Sequence, residues 1–75
     1  GHKVRGVAFH HGIGKIIVLT YVRELRSLFL LSYSETGELE NSVFFTTCLL
    51  QARSHVKSHL NGAVAINVSE SITLI

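Results

Sequence analysis

The sequence has no proline, tryptophan or methionine, and only one cysteine. A lone Cys48 cannot form an internal disulfide, so a disulfide-stapled secreted scaffold is excluded and a reducing, cytoplasmic setting is expected. Charge is scarce as well. Charged residues make up 16% of the chain against 47% hydrophobic, and the five acidic residues are all glutamate. Four of those glutamates fall in stretches that read as loops or connectors. No base, nucleophile and orienting group can be assembled from them, so an enzyme is not expected. The net charge is only +2. The basic residues Lys3, Arg5, Lys15, Arg23, Arg26, Arg53 and Lys57 are scattered, whereas nucleic-acid binders gather such charge on one face. Nucleic-acid binding therefore stands as a minor alternative. Long hydrophobic runs are also missing. Lys15–Val22 and Leu28–Leu31 are far too short to cross a bilayer, and no secretory signal is evident.

What is present is a small, greasy chain. Seventy-five residues form one domain that buries about 60–65% of its unfolded surface, which leaves little margin of stability. The opening Gly1-His2, without a start methionine, suggests a domain excised from a larger protein, and these two residues are set outside the fold reasoning.

Along the chain, period-2 alternation predicts the first strand at Lys3–His10. Gly12-Ile13-Gly14 predicts a hairpin turn. Gly12-Ile13-Gly14-Lys15 is not a phosphate loop, because Lys15 enters a strand rather than a helix. Ile16–Val22 and Leu28–Tyr33 read as strands apolar on both faces, joined by the charged connector Arg23–Ser27, itself open to a helical turn. Ser34–Gly37 reads as a turn. No internal repeat is visible.

Ser42 to Val68 reads as helix, stop and buried strand. On a helical wheel Phe45, Cys48, Leu49, Val56 and Leu60 share one side, with His59 among them. Asn41 or Ser42 supplies an N-cap, and Asn61-Gly62 a left-handed stop. Against this, Val43, Phe44, Phe45, Thr46 and Thr47 favour strand. Ala63–Val68 reads as a strand, and Ile72–Ile75 as a possible fifth. The expected fold is α+β, in the order β-β-β-α-β, with a mainly antiparallel sheet and one long helix on one face.

Histidines carry the main chemical alternative. His55 and His59 stand four apart, which on a helix can place two imidazoles on one zinc or copper ion. The plainer account is one hydrogen-bonded interior histidine and one at the helix flank. Further ligands would have to come from His10, His11 or Cys48. Yet His10 and His11 point to opposite faces of a strand, and Cys48 reads as a small core side chain. His10-His11 reads as a surface or turn pair.

The run from Ala52-Arg53-Ser54-His55-Val56 through Leu60-Asn61-Gly62-Ala63-Val64-Ala65-Ile66 resembles the helix-then-strand signature of YbjQ-like domains. Similar domains occur in a eukaryotic C2-domain protein of vesicle trafficking, a setting that Ser69-Glu70-Ser71 also resembles. The sequence departs from that pattern at Asn61-Gly62-Ala63 and at Val43-Phe44-Phe45. The resemblance implies a small α+β subunit, often in a ring-like homo-oligomer, with heavy-metal binding suggested for bacterial members. It transfers no ligand residue by residue.

The functional expectation comes from the strand faces. A single helix covers one face of a sheet that is apolar on both. Ile16, Val18 and Val22 share one face of the second strand, and Ile17, Leu19 and Tyr21 the other. In the third strand Phe29, Leu31 and Tyr33 oppose Leu28 and Leu30. Five or six large side chains left in water would forfeit roughly 1.5–3 kcal/mol each. The chain is therefore expected to be a non-enzymatic interaction or oligomerisation module. Ile16, Val18, Phe29, Leu31 and Tyr33 are its candidate interface, covered by an identical chain or by another domain of a parent protein.

Overall fold

A computed structural model describes residues 1–75. It contains seven strands in two antiparallel sheets. The first sheet is a four-stranded meander of β1 (His2–His10), β2 (Lys15–Val22), β3 (Ser27–Tyr33) and β4 (Leu39–Thr47). The second has three strands, β5 (Ser54–Ser58), β6 (Val64–Val68) and β7 (Ser71–Leu74). Two short 3-10 turns, Arg23–Leu25 and Leu60–Gly62, complete the regular structure.

The expected α+β fold is therefore corrected. Strand accounts for 63% of the residues, and no helix reaches seven residues. The predicted long helix is β4, a connector and β5. The reason lies in the edge of β3. A strand edge offers a row of unpaired N–H and C=O groups, and a local helix cannot satisfy them. β4 does so over its whole length, from Tyr33↔Leu39 to Ser27↔Thr47. Its residues Val43-Phe44-Phe45-Thr46-Thr47 are β-branched or aromatic and suit the pleat. The 3.6-residue spacing of apolar residues in this stretch was coincidental. Leu49 and Leu60, both on the supposed buried stripe, are exposed, while Phe45 and Cys48 rest against the core.

The other strands fall close to their expected positions. The β1–β2 turn has Gly14 at φ 66°, in the left-handed region that suits glycine. The Arg23–Ser27 connector contains the helical turn, closed by Arg26 in the left-handed conformation.

The core lies between the sheets. Ile17, Leu19, Tyr21 and Leu28 of the first sheet meet Val56, Val64 and Ile66 of the second. Full burial of each such side chain stabilises the fold by roughly 1.5–3 kcal/mol. The sheets approach most closely at β1 and β5. A Cβ on Gly6 would lie 3.0 Å from the Val56 backbone nitrogen and 3.2 Å from its Cγ2. Glycine here admits the neighbouring backbone. At the far side the sheets splay apart. A cleft of about 490 Å³ opens there, bounded by Phe45–Cys48 on one side and Ile66, Val68 and Thr73 on the other.

The connector between the sheets is held by Arg5, which stands at a β-bulge of β1. Its guanidinium donates to the carbonyls of Leu50 (2.7 Å) and Ala52 (3.0 Å) and to Ser54 Oγ (2.9 Å). It also lies 4.9 Å above the Tyr21 ring, a cation–π distance. The Tyr21 hydroxyl donates to the Cys48 carbonyl at 3.1 Å.

Gly6→Val should destabilise the fold by about 1–3 kcal/mol, because the added methyls meet backbone rather than a flexible side chain. A shift of the urea midpoint at constant slope measures this. Arg5→Ala should raise amide exchange selectively across Leu49–Ser54, since those carbonyls lose their charged donor.

Candidate functional site

The second sheet covers only one face of the first. The opposite, outer face follows directly from strand register, because paired residues of an antiparallel ladder point the same way. β2 contributes Ile16, Val18, Thr20 and Val22. β1 lies beside it with Phe9, Val7, Val4 and His2. On the other flank β3 supplies Tyr33, Leu31 and Phe29, and β4 supplies Leu39, Ser42 and Phe44. All five residues expected at an interface, Ile16, Val18, Phe29, Leu31 and Tyr33, lie on this one face. The period-2 reading divided the side chains correctly. The second sheet, rather than a helix, occupies the other side.

The face is mainly apolar, with His2, Thr20, Ser27, Ser42 and Thr47 among its residues, and its exposure is uneven. Val18 and Leu31, in the middle, are screened by their neighbours. The edge strands carry the open surface, with Val4 65%, Val7 57% and Phe44 58% exposed. Aromatic contacts fix its shape. Phe29 meets Phe44 edge-on at 6.0 Å and His2 at 5.5 Å. Phe9 meets His11 at 4.8 Å. Thr20 is buried on this face, and its hydroxyl bonds His2 Nδ1 at 2.7 Å. Val7, Phe9 and Phe44 belong to the surface although the sequence reading did not include them. For Phe44 the signal was the β-branched and aromatic run around it, which the helical spacing of its neighbours outweighed.

The histidines do not form a cluster. His55 is exposed on β5, and His59 lies beyond that strand's end. Four residues of extended chain span about 13 Å, so the helical spacing that would have joined the two imidazoles is absent. No three His, Cys, Asp or Glu side chains come together to hold a metal. His10 is also not a surface residue. It is buried, and its Nε2 bonds the Ile75 carbonyl at 2.9 Å, tying the first hairpin to the end of the chain. That partner lies 65 residues away and gives no local sequence signal.

A second cleft, of about 730 Å³, lies between the β2–β3 turn and the connector and is bounded by Tyr21, Arg23, Arg26 and Leu49–Gln51. Glu24 borders it. Its carboxyl is held below the usual glutamate range, first by a backbone hydrogen bond and then by the N-terminal ammonium 3.5 Å away. No nucleophile or general base accompanies it.

Comparison with known proteins yields no match to a family model, a curated protein or a solved structure. The helix implied by the resemblance to YbjQ-like domains is absent, since Ser54–Ser58 is a strand and Leu60–Gly62 a single 3-10 turn. No helix is long and apolar enough to cross a membrane.

A zinc or copper titration should show no stoichiometric binding that depends on His55 or His59. His10→Ala should cost about 1 kcal/mol in chemical denaturation, because the mutation removes the imidazole hydrogen bond to the Ile75 carbonyl, which keeps its bond from Val64 N.

Proposed function

We propose that this chain is a non-enzymatic protein–protein interaction module, and that the outer face of its four-stranded sheet is the binding surface. The observation that carries the reading is the concentration of apolar side chains on the face of the first sheet that the second sheet does not cover, unbroken from β1 to β4 in the row Phe9, Ile16, Tyr33 and Leu39. Soluble monomers rarely leave so broad an apolar patch in water. None of the seven Lys and Arg side chains belongs to this face, so it offers no phosphate contacts.

The test separates folding from association. Val7→Glu and Phe44→Glu alter exposed positions and should cost no more than about 1.5 kcal/mol, the larger share at Phe44, which loses its edge-on contact with Phe29. Each should abolish self-association measured by sedimentation at micromolar concentration. Leu28→Ala, on the covered face, should instead cost about 2–5 kcal/mol of stability. A wild-type chain that is monomeric, unfolds cooperatively and binds no hydrophobic dye would overturn the reading.

A further inference from the structure

The second sheet repeats the plan of the first. Both begin with three strands in an up-and-down meander, β1–β2–β3 and β5–β6–β7. Gly14 and Gly62 stand at matching points just before the middle strands, with φ of 66° and 77°. Counted from these glycines, Val64 and Ile66 of β6 correspond to Ile16 and Val18 of β2. Pairing extends the match to the flanking strands. Ile66 pairs with Val56 and Thr73, as Val18 pairs with Val7 and Leu31. The spacing falls in the range of about 20–50 residues that repeat architectures use. The matching turns also touch, since Gly12 N donates to the Gly62 carbonyl at 3.0 Å.

The correspondence says what fits the outer face. Val64 and Ile66 are the residues by which the second sheet docks on the first. Their counterparts, Ile16 and Val18, lie on the open outer face. That face is thus of the docking type. In turn, Ala65, which is buried, and Asn67, which is half-buried, correspond by position to Ile17 and Leu19, the platform on which the second sheet sits, and they share the second sheet's other face with Lys57 and His55. Ile72 and Leu74 stand beside them, exposed. The buried Asn67 Nδ2 on that side has no hydrogen-bond partner within the chain. By register the two outward faces correspond to the two halves of the interface already formed inside the molecule, with Ala65, Asn67 and Lys57 standing where the first sheet has Ile17, Leu19 and Ala8.

Shape completes the argument. The sheets converge at β1 and β5, through Gly6, and splay at β4 and β7. Wedge-shaped layers repeated in one sense build a radial array, the arrangement of β-propeller blades.

We propose that the partner of the outer face is another sheet of this same repeat, stacked head to tail, so that these residues form two successive blades of a radial β-sheet array. The proposal rests on the interaction reading of that face and names its occupant. Between separate molecules the occupant is the second sheet of another copy of this chain. The contact is heterologous, and it closes into a ring or continues as an open stack according to the angle between layers.

Position-specific disulfides test it in a Cys48→Ala background. Inside the molecule Val56 lies against Gly6. By the repeat, Val7 corresponds to Val56, and His55 to Gly6. Chains carrying Val7→Cys are mixed with chains carrying His55→Cys under mild oxidation, with Thr36→Cys on an exposed turn as the control partner. Mixed Val7–His55 dimers several-fold above the control and above either like pair are expected. His55→Gly, which recreates the close approach made at Gly6, should tighten self-association several-fold. Predominance of Val7–Val7 dimers would show the outer faces meeting each other, overturning head-to-tail stacking while leaving the interaction reading intact. A monomeric chain with no cross-linking above the control would overturn both.

Discussion

The structure depends on the absence of a side chain at Gly6. β1 and β5 belong to different sheets and approach so closely there that a Cβ would crowd the Val56 backbone nitrogen at 3.0 Å and its Cγ2 at 3.2 Å. This contact sets the narrow end of the wedge between the sheets. Val56 can then reach Ala8 and the inner face of β2, and Val64 and Ile66 follow on β6. The bulge at Arg5 serves the same junction. It places the guanidinium over Tyr21 and among the carbonyls of the connector, so the crossing chain is held by charge-assisted hydrogen bonds in a stretch without secondary structure. A larger residue at position 6 would act on both the sheet contact and the connector.

The composition of β2 and β3 follows from their place in the layering. A central strand covered on one side alternates apolar and polar residues, whereas a strand covered on both sides does not. Ile16–Val22 and Leu28–Leu31 are of the second kind. Ile17, Leu19 and Leu28 account for one cover, which the molecule supplies. Ile16, Val18 and Leu31 ask for the other. Val18 and Leu31 are largely screened by Val7, Phe29 and their neighbours, so the open surface is displaced to the edge strands β1 and β4. A partner docking there meets Val4, Val7 and Phe44 first. On the proposed interaction reading, these edge positions contribute more to recognition than the centre of the sheet.

Much of the fold was legible locally, and the part that was not has a physical cause. Period-2 alternation and the Gly12–Gly14 turn located the first hairpin, the β-branched run of Ile16–Val22 located β2, the apolar run from Leu28 located β3, and the alternation of Ala63–Val68 located β6. The division of side chains between two faces was legible as well, because strand alternation requires it. β4 and β5 were misread because the forces that place them are not local. β4 is strand because β3 has an open edge, and the connector is stable because Arg5 lies 47 residues from the Ala52 carbonyl it binds. Short windows of sequence contain neither partner. Five apolar residues at helical spacing outweighed the β-branched run from Val43 to Thr47, although that run described the backbone correctly. The buried role of His10 was hidden in the same way, since its acceptor is the last residue of the chain.

The repeat was concealed for a related reason. Position by position, the two meanders share little beyond Gly14 and Gly62; apolar class is kept on the docking side, at Ile16 and Val64 and at Val18 and Ile66, and not on the other, where Ala65, Asn67 and Lys57 stand for Ile17, Leu19 and Ala8. Ile16 and Val64, or Val18 and Ile66, are equivalent to a neighbouring sheet while differing in sequence. Only the φ of the two glycines and the strand registers, which fix which residues share a face, bring the equivalence into view. Once the faces are matched, the polarity of stacking follows without further assumption. The side bearing Val64 and Ile66 already rests on the side bearing Ile17 and Leu19. A face of the first type paired with another of the first type would need a geometry that the molecule nowhere uses. Head-to-tail order, on the proposed repeat, continues the sense of the one sheet-to-sheet contact that the chain makes.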